Sequence, residues 1–353
     1  MSKLKLGVIF GGMSTEHDVS ITSGTSVIKN LDKEKYEIFP IYIDKEGKWY
    51  QYTKRIEEIE VLEVGEEIQE KEVIPNPMDY LQKCDVLFPV LHGLYGEDGT
   101  IQGMLELIKK TYVGCKVLAS SVCMDKVYAK VVFDRAKINQ AKYIYIKSLG
   151  LKYVYVDEDF NEKECELEEI TNLVKEKLSY PVFVKPSNSG SSVGIKKAHN
   201  SEELMEAIKY ASLYDTKILI EEEIKGREVE CAVLGNNNVM ASCVGEILPA
   251  EEFYTFDAKY KNAESRVVIP ADIPEKIAEE IRKTAIKAFK AADGSGLSRV
   301  DFFIENDTNR IIINEINTMP GFTQISMYPK LWEQMELSYS KLLDRLIELA
   351  TIK

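Results

Sequence analysis

The stretch KPSNSGSSVGI, residues 185–195, sets a lysine and a proline ahead of a run of Ser, Asn and Gly that closes on Val-Gly-Ile. Few of these residues can pack a core. Glycine and serine permit unusual backbone angles and close approach, so consecutive N–H groups can converge on an anion. A mobile ammonium beside such a loop suits phosphate. The order differs from G-x-x-x-x-G-K-[ST], where the lysine follows the glycines, and from G-x-G-x-x-G. Taken alone, the stretch reads equally well as a surface turn.

The far end of the chain supports the phosphate reading. In SRVDFFIE (298–305), Arg299 and Asp301 stand two apart; in INEIN (313–317), Glu315 and Asn317 do the same. Residues two apart share a strand face. If the two strands pair, Asp301, Glu315 and Asn317 lie together, a hard-oxygen donor set for Mg²⁺ shared with phosphate. The neighbours Phe302, Phe303 and Ile311–Ile313 are apolar, and charges lodged there are costly unless matched. Lysine, glycine-rich loop and acidic hairpin together describe a site for ATP and a divalent metal.

The totals set bounds. At 353 residues the chain exceeds the size at which one core stops growing, so two or three domains are expected. Its formal net charge is −13, without a Lys/Arg stripe, which argues against a nucleic-acid partner. Six scattered cysteines without a C-x-x-C pair and three histidines argue against structural zinc. The opening MSKLKLGVIFGG has too short an apolar run for a signal peptide. No stretch approaches the length of a membrane helix. A reduced, cytoplasmic protein is expected.

Short apolar runs at 4–10, 36–44 and 85–93 read as strands. Helices at about 14–31, capped by Ser14 or Thr15, and at 99–110 separate them into a β-α-β rhythm, hence an open parallel sheet. Residues 51–75 give no assignment. Beyond them the pattern predicts a helix near 123–139, a strand at 142–148, a helix at 167–180, the strand PVFVKP and a helix at 201–212. Strands 217–224 and 227–235 read as an antiparallel pair around Gly226. A long helix over 271–293, the hairpin 297–305/310–321 and a last helix at 336–350 follow. The expected class is α/β in front and α+β behind, in three units: 1–124, 125–213 and 214–353.

GGMSTEHDVS (11–20), LHGLYGEDGTIQGMLEL (91–107), MDK (124–126), VKPSNSGSSVGI (184–195), EFYTFDAKY (252–260), SRVDFF (298–303) and NEINTMPGFTQISMYPKLW (314–332) resemble, in order and over nearly the whole chain, the D-alanine–D-alanine ligases. These are ATP-grasp enzymes of cell-wall precursor synthesis. The resemblance implies a Rossmann-like pre-ATP-grasp domain followed by a two-lobed ATP-grasp domain. It implies D-alanine and ATP as substrates, two Mg²⁺ (or Mn²⁺) ions, a homodimer, and no nucleic-acid or membrane partner. The carboxylate of one D-alanine would attack the γ-phosphate, and the amine of a second would attack the resulting acyl phosphate.

By the same resemblance, Lys126 and Lys185 would hold ATP phosphates, Glu221 and Glu228 would contact adenine and ribose, and Asp301, Glu315 and Asn317 would hold the metal. Glu16 would pair with the first ammonium and be hydrogen-bonded through Ser191 to Tyr260, with His92 near that amino acid. Arg299 and the Gly321 N–H would form an oxyanion hole. Phe253 and Lys259 would contact the nucleotide from a lid over 250–266, and Ser326 the second carboxylate. In lactate-type relatives a histidine replaces the lid tyrosine, here Tyr260. In serine-type relatives an arginine follows the substrate serine, here Met327. Both residues favour D-alanine as acceptor. A D-serine or D-lactate ligase and a nucleotide-binding module without turnover are the rival readings. A doubly wound dehydrogenase is set aside because FGGMS lacks the dinucleotide fingerprint.

Overall fold

The computed structural model describes residues 2–150, 152–248 and 266–352. The first sheet contains β1 (Leu4–Gly11), β2 (Tyr36–Ile43), β3 (Trp49–Tyr52), β4 (Lys71–Val73), β5 (Val86–Pro89) and β6 (Thr111–Tyr112), in the order β4-β3-β2-β1-β5-β6. From β2 to β6 neighbouring strands are parallel, as the β-α-β rhythm predicts, while β3 and β4 add an antiparallel edge. That edge comes from residues whose pattern is too polar to assign. The accompanying helices are α1 (His17–Asn30), α2 (Pro77–Leu81) and α3 (Thr100–Leu107). Helix α1 starts later than a Ser14 or Thr15 cap would place it. The Ser14 hydroxyl instead donates to the His92 carbonyl (2.6 Å), leaving Glu16 at the N-cap.

After α4 (Val117–Met124) and α5 (Lys126–Arg135) comes the second sheet: β7 (Tyr143–Leu149), β8 (Lys152–Val156), β9 (Glu162–Cys165), β10 (Val182–Pro186), β11 (Lys196–Ala198) and β12 (Lys217–Glu222). Its order is β11-β10-β12-β7-β8-β9, antiparallel throughout. The single helix expected near 123–139 is broken at Asp125, whose carboxylate accepts the Val127 and Tyr128 N–H groups and caps α5. Along β10 and β12, Val182, Val184, Ile218 and Ile220 pack with α6 (Leu167–Lys177) and α7 (Ser201–Ala211). The alternate residues Lys185, Leu219 and Glu221 therefore take the opposite face, toward α5.

The third sheet is also antiparallel: β13 (Gly226–Gly235), β14 (Met240–Leu248), β15 (Arg266–Val268), β16 (Gly296–Glu305) and β17 (Ile311–Asn317), ordered β15-β14-β13-β16-β17. Helix α8 (Glu275–Ala291) covers one face. Strands β12 and β13 are thus not partners. The chain crosses from one sheet to the next at 223–225, and a boundary near 214 would cut β12 out of the middle of its sheet. Alternation identifies a strand, not its neighbour. Of the last helices, α9 (Met327–Gln334) packs on β13 and β14 of the third sheet, and α10 (Tyr339–Thr351) reaches β5 and β6 of the first. One continuous core joins Leu6, Phe10 and Phe88 to Leu297, Phe322 and Leu346, with Phe88 edge-on to Phe322 at 5.6 Å.

Gly24 lets α1 lie close on β1: a Cβ there would sit 2.4 Å from the Phe10 Cβ. Alanine gains about 1 kcal/mol of helix propensity over glycine, but relieving so short a contact costs about 1–3 kcal/mol. Gly24→Ala is expected to lower stability by roughly 1 kcal/mol in urea unfolding. A more stable variant would show that α1 can move off the sheet without cost.

Candidate active site

The cleft between the second and third sheets is lined by Lys126 and Lys130 of α5, Lys185 and Glu221 of the second sheet, and Glu315 of β17. Residue period explains most of this, and a bulge explains the rest. On β17, Ile311 and Ile313 pack under α8, so strict alternation would turn Glu315 the same way. The register shifts at Asn314: Asp301 pairs with Glu315 while Phe302 pairs with Ile313. With one extra residue, Ile316 takes the α8 side, and Glu315 and Asn317 face the cleft. The expected common face for Asp301, Glu315 and Asn317 is present, with Asn317 Nδ2 3.0 Å from Asp301 Oδ2.

Glu230 of β13 lies opposite Asp301 on the other side, so three carboxylates cross three adjacent strands. Arg299 answers two of them, with Nε and Nη2 each 2.7 Å from an Asp301 oxygen and Nε 3.0 Å from Glu230 Oε2. Lys126 Nζ stands 3.8 Å from Glu315 Oε2. Among the described residues no group of three or more His, Cys, Asp or Glu side chains is arranged to hold a metal. The expected set has two carboxylates and an amide, and such hard oxygens suit a divalent cation whose remaining ligands are water and phosphate.

The 187–194 loop is tightly turned: Ser191, Ser192 and Gly194 have φ of 48°, 61° and 77°, in the left-handed region. At Gly194 a Cβ would also meet Pro186 at 2.5 Å. Asp125 anchors the loop to α5: it accepts from the Ser187 hydroxyl and from Lys217, while Lys126 N–H donates to Ser187 O (3.0 Å) and Lys126 Nζ to Ser189 O (2.6 Å). The lysine and the loop therefore form one unit. Lys185 Nζ lies 2.6 Å from Glu221 Oε2, and Lys130 Nζ 2.5 Å from Oε1. Burial would raise the Glu221 carboxyl, but the two ammonium groups outweigh it and hold it at about 2. Glu228 lies on β13 opposite Phe303.

Ser191 donates to Glu16 Oε1, joining the loop to the start of α1 as the resemblance implies. Their expected third member, Tyr260, lies outside the described residues, as do Phe253 and Lys259. His92 is buried and shares both ring nitrogens with the protein. Nδ1 lies 3.0 Å from Met319 O, so it carries the proton, and Nε2 lies 3.0 Å from Ser23 Oγ. It therefore positions its loop. His17 is buried against the Gly12 carbonyl and His199 is exposed on Glu203.

Residues 318–326 lead from β17 to α9. A Cβ on Gly321 would meet Ser326 Oγ at 2.7 Å, so the glycine backbone can approach the serine closely. Ser326 Oγ accepts the Thr323 N–H (3.0 Å) and lies 2.8 Å from Thr323 Oγ1. Met327 follows Ser326. It opens α9 and is buried, its sulfur packed where Gly245 leaves room. The apolar face of α9 draws it into the core with Tyr328 and Leu331.

Two family models match the chain, "D-ala D-ala ligase N-terminus" over residues 5–115 and "D-ala D-ala ligase C-terminus" over 145–348. The chain belongs to the D-alanine–D-alanine ligase family. It is 50% identical to the D-alanine–D-alanine ligase of Acetivibrio thermocellus, over 99% of this chain and 96% of that one. Identity to the Clostridium acetobutylicum enzyme of the same name is 49%, covering 99% and 98%. The VanG D-Ala:D-Ser ligase of Enterococcus faecalis superposes with a TM-score of 0.84 at 36% identity, covering 99% and 100%. The Coxiella burnetii D-alanine–D-alanine ligase gives 0.80 at 34%, covering 99% and 94%.

Glu97, inside the quoted motif LHGLYGEDGT, is a site residue the sequence reading passes over. Its Oε2 accepts the Gly93 N–H (2.8 Å) and its Oε1 the Met319 N–H (3.0 Å), fastening the first sheet's loop to the one after β17. Burial, then the neighbouring Glu16, push this carboxyl up to about 8, against the pull of those N–H groups and Arg299. Its ordinary value is 4.5, so between the two the folded state keeps a proton the unfolded state has lost. Stability then falls as pH rises through that window. Glu97→Gln has no such proton. Relative to wild type, the variant is expected to gain on the order of 2 kcal/mol in urea unfolding between about pH 5 and about pH 8, after discounting for partial exposure. A constant difference across that range would refute the assignment.

Proposed function

We propose that this protein ligates two D-alanine molecules at the expense of ATP, through a D-alanyl phosphate, for peptidoglycan precursors. The observation that carries the reading is the meeting in one cleft of the Lys185 loop with the Asp301–Glu315 strand pair. Lys126, Lys185 and the 187–194 loop would receive the triphosphate, with Glu221 and Glu228 toward the base and sugar. Phosphoryl transfer depends on such positioning and charge neutralisation more than on covalent help. Asp301, Glu315 and Asn317 would hold two Mg²⁺ or Mn²⁺ ions, which when bound offset charge on the transferring phosphoryl group. Glu16, oriented by Ser191, would take the first ammonium and so present that carboxylate for attack. Arg299 is fixed by Asp301 and Glu230, and with the Gly321 N–H it would stabilise the oxyanion formed when the second amine attacks. Ser326 would hold the second carboxylate. Phe253, Lys259 and Tyr260 would close over the site and keep water from the acyl phosphate.

D-alanine is proposed as acceptor as well as donor. The likeness to a D-Ala:D-Ser ligase makes D-serine the competing acceptor. Met327 bears on it through burial: a thioether locked in the core offers a serine hydroxyl no partner, and an arginine there could not keep that position. We read three units, one per sheet, of which the middle one runs to the end of β12. A homodimer is proposed too; exposed Leu107 and Leu118, on the adjacent helices α3 and α4, are apolar surface a second copy would cover. A monomer in sedimentation at micromolar concentration would refute it.

With ATP and an equimolar mixture of D-alanine, D-serine and D-lactate at neutral pH, D-alanyl-D-alanine should dominate; mainly D-alanyl-D-serine or depsipeptide would overturn the acceptor assignment. Lys185→Met should lower kcat/KM for ATP by about a hundredfold or more, as loss of a charged phosphate contact does. Unchanged ligase activity in that variant would remove the lysine from the nucleotide site.

A further inference from the structure

We propose that Lys130 is a positioning residue for the nucleotide: it retains the Glu221 carboxylate so that Lys185 can pass from that carboxylate to the incoming phosphates. The inference rests on the ATP reading above and concerns a residue with no role assigned there. Glu221 is 5% exposed, and its two oxygens are divided, Oε1 to Lys130 and Oε2 to Lys185. The two lysines are not equivalent. Lys130 is 3% exposed, donates also to the Ala141 carbonyl (3.3 Å) and lies 5.0 Å from the centre of the Tyr143 ring. Those contacts fix its ammonium beneath the cleft, where it cannot follow a ligand. Lys185 projects from β10 at the lip, with 15% of its side chain exposed, next to the loop expected to hold phosphate.

One carboxylate with two ammonium partners can release one and remain paired. Without Lys130, Glu221 would be a buried anion whose remaining charge partner among the described residues is Lys185. Drawing Lys185 away would then strand an uncompensated buried charge, which is strongly unfavourable. The nucleotide would have to offset that cost out of its own binding energy. Lys130 thus acts on ATP affinity through Glu221, without touching ATP. The i, i+4 spacing from Lys126 puts both lysines on one face of α5, one toward the phosphates and the other beneath them.

The experiment measures the affinity of a non-hydrolysable ATP analogue with Mg²⁺, by calorimetry, for wild type, Lys130→Met, Lys130→Arg, Glu221→Gln and the double variant Lys130→Met/Glu221→Gln. Loss of one partner from a buried pair is expected to weaken binding about tenfold or more in Lys130→Met, with Lys130→Arg within about threefold of wild type. In the Glu221→Gln background the same lysine substitution should matter less than about twofold, because no charge is left to strand. An equal loss in both backgrounds, or no loss in either, would overturn the proposal; a lysine acting only on fold stability gives one of these two results. Should Lys130→Met fail to fold, the double variant decides, since it should bind as Glu221→Gln does and a much weaker affinity would refute the coupling. Wild type that binds no analogue would instead defeat the ATP reading itself.

Discussion

One extra residue in β17 decides which way the acidic strand faces. Without the bulge at Asn314, Glu315 would follow Ile311 and Ile313 under α8. A carboxylate there would enter the apolar cluster of Phe302, Ile304 and Ile281, a placement costing several kcal/mol unless it were paired. With the bulge, the strand keeps Ile316 in the core and gives Glu315 and Asn317 to the cleft. Everything proposed for the third sheet depends on that reversal, because Asp301 gains its cross-strand partner only when Glu315 turns toward it. Bulges are favoured where a ladder must re-aim a side chain, and here the re-aimed group is one of those proposed to hold the metal.

The cleft is then assembled by contacts between loops of different sheets. Ser191 on Glu16 joins the second sheet to α1, Asp125 with Ser187 joins α5 to the phosphate loop, and Glu97 and His92 both hold Met319. The first and third sheets also share a continuous apolar core through α9 and α10. The second sheet keeps a core of its own with α6 and α7. Its link to the rest runs through α5, which packs Val127 against Tyr145, Val156 and Leu219 of the second sheet and Ala129 and Phe133 into the core of the third. The polar contacts of Ser191 and Asp125 add to that apolar link, so the sheet is docked by packing and hydrogen bonds together.

How much of this was legible follows from what sequence period can report. Lys185, Asp301 and Glu315 were legible because charged residues interrupt apolar strands at spacing two. The bulge was not, since IIINEIN reads as one continuous run and only the partner strand shows the extra residue. The separate sheets of β12 and β13 were hidden for the same reason: alternation carries no information about neighbours. Glu97 escaped because its acceptors' partners are backbone N–H groups, one of them 222 residues away. Lys130 did leave a signal, its spacing from Lys126 on one helix face. Met327 left one too: Met327, Tyr328, Leu331 and Trp332 form an apolar face, which places the methionine in the core.

Charge balance explains why an acidic chain can hold a triphosphate at all. The molecule carries −13 overall, yet among the described residues the cleft pairs four cations, Lys126, Lys130, Lys185 and Arg299, with four carboxylates, Glu221, Glu230, Asp301 and Glu315. Those eight groups therefore balance one another before any ligand arrives, and the long-range field of the surface acids is screened over about 8–10 Å at physiological salt. A triphosphate entering such a cleft brings charge that these side chains have already neutralised among themselves. Its excess must be met by cations that come with it, and the oxygens of Asp301 and Glu315 are where those cations would find their protein ligands. The same balance sets the order of exchange: as a phosphate takes over Lys185, Glu221 keeps Lys130 as its partner, so the handover leaves no buried charge alone.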